Sequence, residues 1–485
     1  MKTYYNFIDS KWIKSNSKKT FLSINPATEQ PLGSFQASNE KDIDYAVAAA
    51  EKSLVSWRET PAPERAQYLY KVAGLLNKNK ERLAKIETQE MGKILNESRG
   101  DVQEAIDIFE YMAGEGRRLE GITTPSELKH KFNATVRMPL GVVGLITPWN
   151  FPIAIPSWKI APALICGNTV VLKPSSDTPL CAIELVRIIE KTKIPKGVIN
   201  VVTGSGEEVG ASLIKHQKVQ ALSFTGSRET GKYVTQNAGL KKVGLELGGK
   251  NPIIVMEDAS LKLAIEGIIW AAFGTTGQRC TAASRIIVHK KIKKKLETEL
   301  VNSIKRLKIG NGLNKEVNIG PLVNKRAVEK VKKYVYLGEK EGGKLLCGAK
   351  GVFSKGFFYE PTVFTNIKPT MAIAQEEIFG PVTAILEAKD IDHAISLANN
   401  SKYGLSASIY TNNIYYAFKA IEKIESGMVY VNAPTIGAEV HLPFGGVKET
   451  GNGTREGSAA IEEFSVLKTI YIDYSGTLQK AQKVQ

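Results

Sequence analysis

Gly141-Val142-Val143-Gly144-Leu145-Ile146 opens a stretch of strands and helices in strict alternation. Gly141–Ile146 reads as an apolar strand and Thr169–Leu172 as another. Leu180–Lys191 has helical spacing, Val198–Val202 is a strand, Glu207–His216 is helical, and the strand Val219–Phe224 precedes a helix opening at Ser227. The strand Val243–Leu247 leads out of the series. A helix between successive strands carries the chain back, so the strands lie parallel, as in dinucleotide-binding domains.

On the N-terminal side, residues 40–57, 62–77 and 79–95 carry apolar side chains three and four apart and are predicted helices. Ahead of them Phe7–Ile13 and Phe21–Ile24 read as two short strands flanking a polar turn. On the C-terminal side a second alternating region runs from about 252 to 445. Its predicted strands are Pro252–Met256, Arg285–Val288 and Thr383–Leu386, and its predicted helices are 260–273, 292–306 and 326–341. No repeat and no disordered linker separates the regions, so the domains are expected to share an interface. Thr469–Tyr474 is β-branched and aromatic, an exposed strand whose edge needs a partner, which points to oligomerisation.

Composition bounds the answer. A chain of 485 residues with 43% hydrophobic content builds a large core and two domains or more. No run of about eighteen uncharged apolar residues is present, which argues against a membrane span. Met1-Lys2-Thr3-Tyr4-Tyr5 lacks the apolar region of a secretory signal. A soluble cytoplasmic protein is expected. Lys plus Arg number 65 against 49 Asp plus Glu, a net charge of +16, but the charge is spread along the chain. Its densest run, Lys290–Lys295, reads as the start of a solvated helix, so no nucleic-acid partner is expected and a weak attraction to anionic cofactors and substrates is. The four cysteines form no Cys-x-x-Cys pair, the five histidines show no metal spacing, and no Gly-x-Ser-x-Gly elbow occurs. Disulfide scaffolds, zinc sites and Ser-His-Asp hydrolases are disfavoured.

Three turns carry candidate chemistry. Cys280 ends Gly274-Thr275-Thr276-Gly277-Gln278-Arg279-Cys280, Glu246 sits in Leu245-Glu246-Leu247-Gly248-Gly249, and Asn150 in Thr147-Pro148-Trp149-Asn150-Phe151-Pro152. A thiol, a carboxylate and an amide are what is needed to attack a carbonyl, hydrolyse the thioester and hold an oxyanion. Each has a plainer reading: an inert buried cysteine, a strand carboxylate facing solvent, a turn asparagine. Arg279 beside the thiol favours the thiolate, and the apolar neighbours of Glu246 raise its pKa toward general-base duty. Phe224-Thr225-Gly226-Ser227 places a glycine where a strand hands over to a helix, a phosphate-binding position. Its spacing to Gly231 is Gly-x-x-x-x-Gly, a weak fingerprint by itself. Gly204-Ser205-Gly206 and Lys173-Pro174-Ser175-Ser176 follow other strands and would share the same rim.

Together these segments resemble the NAD(P)-dependent aldehyde dehydrogenase family over essentially the whole chain. The further landmarks are Gly167–Pro174, Glu376-Glu377-Ile378-Phe379-Gly380-Pro381 and Pro443-Phe444-Gly445-Gly446. The resemblance implies an α/β fold with a Rossmann-like nucleotide-binding domain (1–118 and 140–247), an α/β catalytic domain (248–448) and a small β oligomerisation element with the C-terminal tail (119–139 and 449–485). It also implies a homo-oligomer, a dimer or a tetramer built from dimers. Cys280 would be the nucleophile, Asn150 and the Cys280 N–H the oxyanion hole, and Glu246 the base that activates water. Lys173 and Glu377 would bind the cofactor's riboses and Phe379 position the nicotinamide end. Thr147, Pro148, Trp149, Ser175, Ser176, Gly206, Gly210, Phe224, Thr225, Gly226, Ser227, Leu247 and Gly248 would complete the cofactor path.

NAD-preferring members carry Glu where this chain has Ser176. A carboxylate accepts from the ribose 2′-hydroxyl and repels a 2′-phosphate, so NADP is the expected cofactor, with NAD as the second. An ordinary turn serine is the alternative. Phe151, Trp158, Thr281, Gly437, Ala438 and Phe444 match aldehyde-tunnel positions. Arg279 and the loop Pro434–Glu439 are similar to branches acting on carboxylate-bearing semialdehydes. Arg279 tied to backbone carbonyls, and short hydroxyaldehydes as substrates, stay open. Two other readings stand beside the acid-forming one: an acylating enzyme that passes the thioester to coenzyme A, against which Glu246 speaks, and a non-catalytic binding protein on the same scaffold.

Overall fold

The computed structural model describes residues 1–480; the last residues of the expected C-terminal tail, 481–485, lie outside the described residues. One seven-stranded sheet runs in the order Lys242–Glu246, Val219–Thr225, Val142–Ile146, Thr169–Lys173, Ile199–Val201, Asn6–Ile8, Lys11–Ile13. Its first five strands are parallel, as the alternation predicts. The chain starts at Val142–Ile146, lays two strands on one side, then returns to lay two on the other. The order therefore reverses between Val142–Ile146 and Val219–Thr225. At such a point the two loops leaving the carboxyl ends diverge and open a crevice.

Both faces of this sheet are covered, and the side chains show how. Val142, Val171 and Leu222 pack with Ile43 and Val47 of the helix Glu40–Glu59. Val143, Leu145, Val170 and Leu172 pack on the other side with Ile160 and Leu185. Strands buried on two faces are apolar throughout, which is why they stand out in the sequence.

Several local expectations change. Phe7–Ile13 is a hairpin, Asn6–Ile8 with Lys11–Ile13. Asp9 and Ser10 at its tip take φ of 50° and 58°, the double left-handed turn that matches the twist of a tight hairpin. Thr20–Ile24 pairs with Pro31–Gln36, a strand the sequence did not announce. The helix predicted to 95 stops at Met91, where Gly92 adopts φ 97°, and a new helix runs over Leu95–Glu115. Glu207–His216 splits into a π turn, Gly206–Gly210, and a short helix, Ala211–Lys215. The helix Ala154–Ile165 has no amphipathic signature because eleven of its twelve residues are buried, and Pro156 and Pro162 disguise it further.

After Glu246 the link Leu247–Lys250 crosses into a second seven-stranded sheet. Its order is Lys344–Cys347, Thr362–Thr365, Val382–Ala388, Ala283–His289, Asn251–Val255, Ser406–Tyr410, Met428–Val431. All its pairings are parallel except that of Lys344–Cys347. A third sheet is antiparallel: Ser465–Asp473 pairs over its whole length with Lys131–Pro139, which also holds Thr123–Thr124. The tail strand, whose edge was expected to need a partner, thus has one inside the chain along one edge, in the 119–139 segment. Its other edge is unpaired among the described residues. Among the described residues no helix is long and apolar enough to cross a membrane.

Candidate active site

The loops from both sheets meet at Cys280. The helix Leu261–Phe273 ends in the turn Gly274–Gly277, where Thr275, Thr276 and Gly277 take φ of 51°, 58° and 69°. Three left-handed residues in a row reverse the chain sharply, and Glu97 secures the reversal by accepting from the Thr275 N–H at 2.7 Å. Gln278 is buried and accepts from the Val323 N–H at 2.9 Å. Cys280 itself is half-buried and free.

The Gly248-Gly249 pair is explained by close approach. A Cβ on Gly249 would lie 2.3 Å from the Cys280 carbonyl oxygen, and one on Gly248 would lie 2.4 Å from Glu377 Oε2. Asn251 Nδ2 donates to the Cys280 carbonyl at 2.7 Å and to that of Ala282 at 3.0 Å. The strand entering the second sheet thereby grips the nucleophile's turn. The Gly249 N–H donates to Glu377 Oε1 at 2.9 Å.

Two cavities have Cys280 in their walls. The first, about 290 Å³, includes Asn150, Thr225, Ser227, Gly248, Glu377 and Phe379 in its wall; Pro148, Trp149, Gly226 and Leu247 complete the set brought together from the sequence. It occupies the crevice where the strand order reverses. Trp149 and Phe379 meet edge to face at 5.3 Å. Ser227 caps the helix Arg228–Asn237, its Oγ accepting from the Thr230 N–H. A Cβ on Gly226 would strike the buried Phe224 ring at 2.5 Å; Phe224 is a floor under the glycine and does not line the cavity. Thr147, Lys173, Ser175, Ser176, Gly206 and Gly210 are also absent from its wall. Lys173 ends the neighbouring parallel strand, and the Ser176 Oγ donates to the Gly204 carbonyl at 2.8 Å, joining two loops of the same rim. Burial lowers the Lys173 ammonium to about 8, against the opposing pull of Glu207 and Asp177.

The second cavity, about 80 Å³, has Phe151, Trp158, Glu246, Arg279, Thr281 and Phe444 in its wall, with Gly437 and Ala438. Trp158 and Phe444 meet edge to face at 5.8 Å. Arg279 Nε donates to Thr275 Oγ1 at 2.8 Å, its Nη2 reaches Glu97 Oε1 at 3.3 Å, and its guanidinium lies 5.3 Å from the Phe151 ring and 5.1 Å from that of Trp270. Its anchors are side chains; the backbone carbonyls of the alternative reading are not among them.

Electrostatics correct one expectation. Arg279 was expected to favour the thiolate, but burial first, and then the carboxylates of Glu246, Glu377 and Glu456, push the Cys280 thiol far up. The charge of Arg279 is spent on Glu97. Glu246 is raised well above the usual carboxylate range, by burial and then by Glu456, with Lys159 opposing. Neither of its buried carboxylate oxygens has a hydrogen-bond partner among the described residues. Asn150 donates one amide hydrogen to the Gln278 carbonyl at 3.1 Å, which leaves the other for a ligand.

The sequence model of the aldehyde dehydrogenase family matches residues 12–470. The chain belongs to that family. It is an oxidoreductase, as the family is. An alpha-ketoglutaric semialdehyde dehydrogenase of Bacillus subtilis is 43% identical over 97% of this chain and 98% of its own. An alpha-ketoglutarate semialdehyde dehydrogenase of Haloferax volcanii is 41% identical over 97% of this chain and 99% of its own. Among solved structures, an aldehyde dehydrogenase of Bacillus cereus in complex with NAD+ superposes with a TM-score of 0.96 at 38% identity, covering 98% of this chain and 97% of that one.

Sequence reasoning missed four kinds of residue at this aldehyde dehydrogenase site. Ile155 borders both cavities, hidden with its all-apolar helix. Asn324, Arg326, Ala327 and Lys330 border the first from the opening of the helix Lys325–Lys340; only the helix was legible. Glu456 sits behind Glu246 in the second cavity and accepts from Lys159 Nζ at 2.6 Å. Glu104, on the helix Leu95–Glu115, borders the second cavity too. Nothing in local sequence connects 104, 155, 326 and 456.

Proposed function

We propose that this enzyme oxidises a small aldehyde to its carboxylic acid with NAD(P)+. The observation that carries the reading is that one thiol, Cys280, borders both a crevice at the reversal of the parallel sheet and a smaller tunnel that holds Glu246. The crevice suits the cofactor on its own terms: it lies at the reversal of a parallel sheet, beside a serine-capped helix N-terminus whose free N–H groups favour phosphate. Gly226 and Gly248 leave no room for side chains there.

Cys280 Sγ bonds to the aldehyde carbon in the tunnel, and the carbonyl oxygen becomes an alkoxide. The second amide hydrogen of Asn150 and the Cys280 backbone N–H donate to it. NAD(P)+, when bound, would supply the acceptor for the hydride that leaves the tetrahedral carbon as its alkoxide collapses to the carbonyl of a Cys280 thioester. Glu246 takes a proton from the water that attacks the thioester carbon, the C–S bond breaks, and the acid leaves with Cys280 restored. Lys173 and Glu377 hold the riboses, Phe379 and Trp149 the nicotinamide end, and Thr147, Ser175, Ser176, Gly206 and Gly210 the remaining rim.

NADP is the proposed preference, because Ser176 and Lys173 offer no carboxylate to repel a 2′-phosphate. The aldehyde is proposed to be a carboxylate-bearing semialdehyde. The names of the two semialdehyde dehydrogenase relatives support this, as does Arg279 in the tunnel wall; short hydroxyaldehydes are the second class. The division into a nucleotide-binding domain, a catalytic domain and an oligomerisation element is proposed on the three sheets. The test is a panel of acidic, hydroxylated and plain aldehydes with each cofactor, following NAD(P)H and the acid formed. A panel without turnover rejects the enzyme reading. Acyl-CoA formed on adding coenzyme A rejects Glu246 hydrolysis as the final step, and a higher kcat/KM with NAD rejects the cofactor preference.

A further inference from the structure

Of the acidic side chains in the tunnel wall, Glu246 has a task in the proposed chemistry and Glu456 is paired with Lys159; Glu104 has neither. It projects from Leu95–Glu115 into the wall that also contains Phe151 and Arg279. Around it lies a group of charges, and most are already paired. Lys93 is buried and bound to Glu87 at 2.8 Å and Asp101 at 3.0 Å, with its ammonium 3.7 Å from the Phe151 ring centre. Arg279 is bound to Glu97. Asp107, a turn further along the same helix, accepts from Gln103. At the reacting end stand Glu246 and Glu456, the latter held by Lys159 of the helix Ala154–Ile165. On the helix Ala62–Lys78, which packs against Leu95–Glu115, Arg65 is turned to the Ile165 carbonyl. In the loop that closes the tunnel, Glu439 and His441 pair with each other at 3.1 Å. Among the described residues no hydrogen bond or ion pair engages the Glu104 carboxyl.

The charge balance follows. Burial raises the Glu87 carboxyl well above the usual carboxylate range, so Lys93 and Arg279 are matched by Glu97 and Asp101, and an ionised Glu104 leaves this end of the tunnel with a surplus of negative charge. A substrate whose far end is a carboxylate would add to it. Like charges a few ångströms apart in a poorly hydrated wall repel strongly. A protonated Glu104 removes that surplus and offers an O–H donor to the incoming carboxylate.

We propose that Glu104 sets the charge selectivity of the aldehyde tunnel, so that a carboxylate-bearing aldehyde binds only together with a proton on this side chain. The proposal rests on the aldehyde-oxidising reading above and adds a residue and a proton to it. Burial first, and Asp101 next, raise the Glu104 carboxyl to about 7, with Arg279 and Lys93 opposing. Uptake of the proton therefore falls within the working range.

Succinic semialdehyde and butanal, four-carbon aldehydes with and without a terminal carboxylate, are the probes. For a group half-protonated near pH 7, the binding-competent fraction falls about tenfold from pH 6 to pH 8, and an apparent KM rises by the same factor. The wild-type KM for succinic semialdehyde should rise about tenfold over that interval while the KM for butanal stays level. In Glu104→Gln the KM for succinic semialdehyde should lose that slope. The wild-type comparison alone tests the idea if the variant does not fold. Parallel KM changes for the two aldehydes, or a slope that survives in Glu104→Gln, overturn the proposal. Turnover of butanal without any of succinic semialdehyde overturns it and leaves aldehyde oxidation standing; failure with both rejects the underlying reading as well.

Discussion

Burial makes both Cys280 and Glu246 hard to ionise; the Glu246 carboxylate adds to this at Cys280, and Glu456 adds to it at Glu246. Attack needs the thiolate and hydrolysis needs the carboxylate, so with an uncharged aldehyde kcat/KM should climb as pH rises from 6 to 9. A rate that falls over this interval would contradict the electrostatics. Glu246→Gln should still form the thioester but release it slowly, giving a burst of NAD(P)H followed by a steady rate at least tenfold lower; rapid-mixing kinetics separates the two phases. Cys280→Ala should yield neither burst nor acid, and mass spectrometry should find no acyl adduct. Asn150→Ala should lower kcat by about 100- to 1,000-fold. The candidate triad was readable from chain chemistry because each member sits in a turn bounded by Gly or Pro. Their ionisation was not: Arg279 adjoins Cys280 in sequence yet answers to Glu97, a residue far away along the chain.

At the scale of elements, the link Leu247–Lys250 fastens one sheet to the other through two glycines that other chain segments crowd. Gly249→Ala should force its new methyl against the Cys280 carbonyl. Overpacking of this kind costs about 1–3 kcal/mol, and here it acts on the nucleophile's turn. We expect kcat/KM to drop at least tenfold, with thermal unfolding showing a folded but less stable protein. Unchanged kinetics would show that the two segments are not in contact. Elements with alternating or continuous apolar patterns were legible, as the five parallel strands of the first sheet show. Ala154–Ile165 was not, since a helix enclosed on all sides has no polar stripe to mark it.

For the whole molecule, two of the strands that end the sheets of the described residues bear on assembly. Met428–Val431 ends the second sheet, and Ser465–Asp473 ends the third with Val466, Leu467, Tyr471 and Ile472 exposed. The nearby sequence segment Ile414–Lys423 exposes Ile414, Tyr415, Phe418 and Ile421. Unpaired edges and apolar faces of this kind need covering in solution. The expected state is a dimer or a tetramer, and sedimentation should show no monomer at micromolar concentration. A chain truncated before Ser465 should lose assembly, because the edge strand Ser465–Asp473 and its exposed apolar side chains are then gone. A monomeric full-length protein would refute the assembly.

The amino-acid order was enough for the alternating α/β plan, the strand-to-helix turn at Gly226 and the choice of Cys280, Glu246 and Asn150 as candidates, because backbone periodicity and turn residues are local properties. Which strand edges stay open, how Glu104 and Glu456 reach the tunnel, and where the charge of Arg279 goes depend on segments remote in sequence. Those were settled by packing, since burial and Coulomb interactions act through distance in space and take no account of position along the chain.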